Sequence, residues 1–230
     1  MRRAALALVA IAWPAHAGPC RQFQDLGFLP DVLTPDGATL DARGGVVIAA
    51  ESVRLQRAID TDASLQDWRF GAGGKHELGK RAVIAPGLVV VAPTVLAADL
   101  ELENADSSPA LGVHYRADAK VSPLAAPKLT MVTYRDHNLG SMTSELTVAK
   151  LSAAPPSGAV ALVAYAGDTP RSWAAISTAD GDELTLYAVD HCVLQIPGTI
   201  ATRAGDRITL AWLDDTGHLG ARTRAIEVRR

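Results

Sequence analysis

Short apolar or alternating runs, each closed by Gly, Pro, Asp or Asn, recur along the whole chain. That punctuation marks strands and turns rather than helices. Residues 45–50 (Gly-Val-Val-Ile-Ala-Ala) follow the turn-like Thr34-Pro35-Asp36-Gly37. Val83-Ile84 leads into Pro86-Gly87, a type II turn pair, and 88–91 runs on to Pro93. In 99–103, Leu100 and Leu102 alternate with Asp99, Glu101 and Glu103, which predicts a half-buried strand. Further strands are expected at 111–116, 128–134, 144–148, 159–165, 172–176, 183–189, 207–213 and 222–228. In the strand 207–213, Ile208, Leu210 and Trp212 share one face, while Thr209, Ala211 and Leu213 take the other. Asp214-Asp215-Thr216-Gly217 is a turn sequence, so a closing hairpin follows, with Trp212 directed into a core. One stretch reads two ways. Residues 51–66 hold good helix formers, with Leu55 and Ile59 one turn apart, but Val53 and Leu55 alternate with Arg54 and Gln56, which favours strands.

Strands at this spacing, without a sustained helical period, predict an all-β fold: two tandem Ig-like β-sandwich domains after a cleaved signal peptide. The stiff segment Ser122-Pro123-Leu124-Ala125-Ala126-Pro127 is the expected connector, dividing residues 18–122 from 123–230. Each part is the size of an immunoglobulin-like sandwich. The rival arrangement is one larger sandwich with that connector as an ordinary loop.

The first residues read as an address. Arg2 and Arg3 form a positive start, 4–13 is apolar, Pro14 breaks it, and Ala15-His16-Ala17 supplies the small residues of a cleavage site after Ala17. The ten apolar residues span only about 15 Å as a helix, half a bilayer, so no membrane span is expected after cleavage. A lipidated Cys20 would need a small residue before it, and Pro19 stands there. The expected location is the periplasm or the extracellular medium, by Gram-negative export. Such compartments are oxidising, and two cysteines allow one intramolecular pairing, Cys20–Cys192, against the alternative of two separate thiols.

Composition narrows the function classes. The 230-residue chain is 48% hydrophobic, too apolar for a disordered chain. A net charge of -3 argues against a nucleic-acid partner, and two cysteines cannot build a four-thiolate zinc module. Aromatic residues make up 5%, which leaves few stacking platforms; Trp68 and Trp173 are candidates for these or for core filling.

Residues 33–40 with 44–48 (Leu-Thr-Pro-Asp-Gly-Ala-Thr-Leu, then Gly-Gly-Val-Val-Ile) resemble the opening of bacterial secreted Ig-like domains. Residues 204–217, closed by Ile226-Glu227-Val228, resemble the final hairpin of Ig/fibronectin-type sandwiches. The chain is similar in these parts to uncharacterised exported β-sandwich proteins of Gram-negative bacteria. The resemblance implies a sandwich and an envelope location, and it implies no reaction.

Catalytic motifs are missing from the sequence. His76-Glu77 lacks the second histidine of a zincin helix. There is no Gly-x-Ser-x-Gly, no Ser-x-x-Lys, no phosphate-cradling Gly-x-x-x-x-Gly-Lys-Ser/Thr loop and no Cys-x-x-Cys. Asp60-x-Asp62 and Asp180-x-Asp182 do not complete a calcium loop. His76, His114, His137, His191 and His218 are scattered, without a His-x-His pair. His137 lies in the loop-like Arg135-Asp136-His137-Asn138, bracketed by Met131 and Met142, and His191 adjoins Asp190 and Cys192. Imidazole and soft sulfur suit copper, and exported copper carriers use Ig-like sandwiches, but with a ligating histidine at the mature N-terminus; here Gly18 would stand there. Other binding loops at the sandwich ends would be 71–74, 167–170 and 214–217. The sequence therefore predicts an exported, non-enzymatic Ig-like protein, a binding or structural module of the cell envelope with an unidentified protein or envelope partner. It assigns no catalytic residue, cofactor or metal ligand; the alternative is a periplasmic copper or other metal binder.

Overall fold

The computed structural model describes residues 31–49, 68–94, 97–104, 107–120, 122–138, 143–189 and 200–230. The signal segment, Cys20, Cys192, His191 and the ambiguous stretch 51–66 lie outside the described residues.

The described chain is all-β, in four sheets. Sheet A orders β1 (Asp31–Val32), β3 (Val46–Ala49), β7 (Leu88–Ala92) and β6 (Lys80–Ala85). Sheet B orders β2 (Ala38–Leu40), β9 (Ser107–Tyr115), β8 (Asp99–Asn104), β4 (Trp68–Ala72) and β5 (Lys75–Leu78). Sheet C orders β10 (Leu129–Asn138), β11 (Thr143–Leu151) and β14 (Glu183–Val189). Sheet D orders β13 (Thr169–Ala175), β12 (Ala159–Ala166), β15 (Arg207–Asp214) and β16 (Ile226–Glu227). The pairings between these strands are antiparallel except β2 with β9, which run parallel. A single 3-10 turn, Ile176–Thr178, interrupts this pattern among the described residues.

Three apolar clusters hold the four sheets in a stack. The first lies between B and A: Trp68, Phe70, Leu100, Leu102 and Val113 face Val46, Ile48, Val89 and Val91. The third lies between D and C: Leu162, Leu210 and Trp212 face Val132, Ala149 and Leu184. The second joins the two pairs. Val47, Ala49, Leu88 and Val90, on the other side of sheet A, meet Ala161, Val163, Tyr165, Ala211 and Leu213, on the other side of sheet D. The central strands of sheets A and D (β3, β7, β12 and β15) are thus buried on both faces, and the layer order is B, A, D, C.

This order accounts for the sequence. A strand buried on both faces has no polar side to present, so β7 is Leu-Val-Val-Val-Ala and β12 is Ala-Val-Ala-Leu-Val-Ala-Tyr-Ala. A strand of an outer sheet needs one wet face, so β8 is Asp-Leu-Glu-Leu-Glu-Asn. The expected strands at 88–91, 99–103, 159–165 and 207–213 form, the one expected at 45–50 forms over 46–49 with residue 50 outside the described residues, and Pro86-Gly87 links β6 to β7 as the expected two-residue turn. Trp212 is 2% exposed within the third cluster, as the alternation of its strand requires.

Several segments differ from expectation; of the strand expected at 222–228 only Ile226–Glu227 forms one, as β16. Arg135-Asp136-His137-Asn138 is strand, not loop: it ends β10 and pairs in register with residues 143–146 of β11. Its polar composition fits an exposed edge position, and ladder hydrogen bonds outweigh the local turn preference. Residues 71–74, expected as an end loop, belong to a hairpin. β4 and β5 pair across Gly73-Gly74, whose φ values of 56° and 79° fit a two-residue turn that other residues adopt poorly. Directly after β5 the chain bends at Gly79 and passes from sheet B to sheet A. A Cβ there would lie 2.2 Å from Val91 Cγ1 and 3.0 Å from Phe70 Cε2, so only glycine lets the corner close on the core.

Candidate functional site

The outward side of sheet B carries a polar concavity. Leu100 and Leu102 of β8 point into the first cluster, so Asp99, Glu101 and Glu103 point out, with about 7 Å between successive side chains. The register places glycine on both sides of Glu101: Gly71 in β4 and Gly112 in β9. Gly37, in the turn just before β2, follows in the same row, its N–H donating to Gly112 O at 2.8 Å. His76 of β5 closes the row on the other side, opposite Gly71. Three missing side chains around one glutamate carve a groove of about 730 Å³, lined among others by Asp36, His76, Asp99, Glu101, Glu103 and His114.

The two histidines are held by the flanking acids. His114 stands opposite Asp99 in the ladder, with Nδ1 2.8 Å from Oδ1. His76 leans across Gly71 to bring Nδ1 within 3.2 Å of Glu103 Oε2. Its ring occupies the space of a side chain at Gly71: a Cβ there would sit 2.9 Å from His76 Nδ1. Both pairs are exposed, so each contributes little to stability. Asp36 is a groove wall fixed by its own acceptor role, Oδ1 taking the Gly112 N–H at 2.9 Å. Glu101, at the centre, has no hydrogen-bond or ion-pair partner among the described residues. The lining contains four carboxylates and neither lysine nor arginine. On the same face, Arg69 neighbours Glu103 in register and lies beyond the lining.

A second polar cluster sits where the two sheet pairs meet. Asp41 follows β2 and is 6% exposed; Asp214 ends β15 and is 5% exposed. Asp214 Oδ1 accepts from Thr216 N, Thr216 Oγ1 and His218 N at 3.0, 2.9 and 2.8 Å. His218 Nδ1 lies 2.9 Å from Thr216 Oγ1, and its Nε2 lies 3.2 Å from Asp41 Oδ1. The residue order Thr216–His218–Asp41 has the look of a nucleophile, base and orienting acid, but the proton inventory opposes it. The threonine hydroxyl gives its one proton to Asp214, so the imidazole donates to the hydroxyl instead of accepting from it. Thr216 is also 7% exposed. The cluster is a clasp. It works with Gly45 N donating to Thr216 O at 2.8 Å, Thr34 Oγ1 donating to Asp215 O at 2.7 Å and Trp173 Nε1 donating to Pro86 O at 2.8 Å, all between the two sheet pairs. Next to the clasp, burial pushes the Asp215 carboxyl above its ordinary value, and the charge of Asp214 pushes it further.

These placements settle several sequence expectations. Trp68 is 5% exposed in the first cluster and Trp173 spans the junction, so neither is a free platform. His76 and His114 converge on one groove, which sequence spacing did not reveal, while His218 lies at the junction. The side chain of His137, together with His191 and Met142, lies outside the described residues. Among the described residues no group of three or more His, Cys, Asp and Glu has the arrangement to hold a metal ion. Nor, among them, is any helix long and apolar enough to cross a membrane. The alternation of 99–103 announced an acidic face; the glycine row beside it needed the pairing of β4, β8 and β9 to be seen.

Neither a protein-family model nor a curated protein matches the chain. Among solved structures it is similar to the fibronectin(III)-like modules of Clostridium thermocellum CbhA, at 14% identity over 87% of this chain and 94% of that one, with a TM-score of 0.28. It is also similar to titin A168169, at 8% identity over 87% of this chain and 99% of that one, with a TM-score of 0.19. The likeness to fibronectin- and immunoglobulin-type modules is weak and of fold alone, and it brings no ligand, partner or reaction to this chain.

Proposed function

We propose that this chain is an exported, non-enzymatic module of the cell envelope that presents a binding face on a rigid double sandwich. The observation that carries this reading is the apolar face shared by sheets A and D. Two domains on a free linker keep polar surfaces toward each other; here valine, leucine and alanine from both pairs are buried together, which favours one body over two. Rigidity suits a holder or spacer, and it leaves the outward groove of sheet B exposed at one end of the stack. Residues 18–122 and 123–230 are the two halves in this reading, and a Cys20–Cys192 bridge would add a covalent tie between them.

Expression of the full chain in a Gram-negative host tests the address and the bridge together. The expected product is periplasmic or released, starts at Gly18, and gains two alkylatable thiols only after reduction. A cytoplasmic product that retains Met1 overturns export. Alkylation of both thiols without reductant overturns the bridge. X-ray scattering in solution tests the single body: a compact profile supports it, and a distribution of separations between the halves overturns it.

A further inference from the structure

We infer that the outward face of sheet B docks an extended basic segment of a partner protein, with alternate lysine or arginine side chains laid along β8. The inference rests on the reading of the chain as a binding module and names the ligand class of its face.

Charge chooses the sign of the occupant. The groove is lined by Asp36, Asp99, Glu101 and Glu103 without a lysine or arginine, and Arg69 lies beyond the lining next to Glu103. His114 and His76 each occupy one oxygen of Asp99 and Glu103, which leaves the other oxygen of each, and both oxygens of Glu101, for incoming cations among the described residues. Shape chooses a side chain that enters between strands. The His76 ring covers Gly71, but Gly112 leaves the other side of Glu101 bare, so a long alkyl stem can lie against the backbone there and bring its charged head to the carboxylate. Periodicity chooses a polypeptide. Asp99, Glu101 and Glu103 recur every second residue, about 7 Å apart, and the alternate side chains of an extended peptide recur at the same spacing. The chemistry of the lining excludes other classes. It contains no tryptophan, tyrosine or phenylalanine ring for a sugar to stack on, and the described residues offer no group arranged to hold a metal.

The test uses the full chain and two fluorescent peptides of equal charge and composition, followed by anisotropy at low salt. One alternates lysine with serine; the other has its lysines contiguous. The alternating peptide is expected to bind saturably, at least about threefold more tightly than the contiguous one, and to weaken as salt rises. Glu101→Gln is expected to lower its affinity about fivefold to tenfold with unchanged circular dichroism. Gly112→Ser, which fills the floor, is expected to do the same without altering the charge. Absence of saturable binding overturns the inference, and so does equal binding of the two peptides or an unchanged affinity in Glu101→Gln. Saturable uptake of zinc or calcium that displaces the peptide also overturns it, in favour of a cation site. If the peptide fails while scattering still shows one rigid body, the ligand class falls and the rigid module stands. A chain whose halves move independently overturns the rigid module, whatever the peptide does.

Discussion

Strand β7 reads Leu88-Val89-Val90-Val91-Ala92, and β8 reads Asp99-Leu100-Glu101-Leu102-Glu103-Asn104. They belong to facing sheets of the same sandwich and contribute to the same apolar cluster, through Val89 and Val91 on one side and Leu100 and Leu102 on the other. The difference is what lies behind them. Leu88 and Val90 meet a second cluster shared with sheet D, while Glu101 and its neighbours meet water and the groove. The number of apolar sides on a strand therefore reports the number of layers packed on it. In this molecule the two-sided strands mark the junction of the halves and the one-sided strand marks the face proposed for a partner.

The contrast makes ordered predictions. The largest effect belongs to Val163→Glu, at the shared face, where Val163 is fully buried. An unpaired charge there costs several kcal/mol. Urea unfolding is expected to split from one transition into two, and scattering is expected to show the halves apart; an unchanged single transition counts against a shared core. Trp212→Ala acts within one half and is expected to cost roughly 3–5 kcal/mol by the same denaturation, without separating the halves.

A smaller effect, of opposite sign, comes from Asp215 beside the clasp. Its carboxyl is raised in the folded protein, so the folded state takes up its proton before the unfolded state does. Ionised Asp215 therefore weighs against folding at neutral pH. That penalty is relieved as pH falls through the raised value toward the ordinary carboxylate range. Asp215→Asn is expected to raise the melting temperature at neutral pH. The advantage over the native protein should shrink in acid, and a pH series of melting curves measures it. Smallest of all is Glu101→Gln, on the wet side of β8, expected to change stability by no more than about 0.5 kcal/mol while it weakens the basic peptide.

Much of the fold was legible because strands announce themselves by period and by the turns that close them. The alternation of 99–103 and 207–213 placed Leu100, Leu102 and Trp212 inward, and Pro86-Gly87 placed a turn. The continuous runs at 46–49 and 88–91 spell strands, but their second meaning, burial on both sides, needs a partner layer to become visible. Arg135 to Asn138 misled because polar composition at an edge strand equals polar composition in a loop until its partner strand is known. The groove was half legible. Three of its four acids lie in one strand and could be read from period two, whereas Asp36, the glycines and the histidines come from β4, β5, β9 and the turn before β2, and register alone aligns them.

The shared face has a mechanical consequence. Within each sheet, neighbouring strands are tied by ladders of hydrogen bonds, which resist being sheared along their length. Sheets A and D are joined by side-chain contact and, at the margin, by short ties such as Gly45 to Thr216, Thr34 to Asp215 and Trp173 to Pro86. A pull applied to the groove and resisted at sheet C loads that face in peeling, so its ties fail one after another rather than together. The molecule should yield there first, at low force and with both sandwiches intact, and close again when the tension is released.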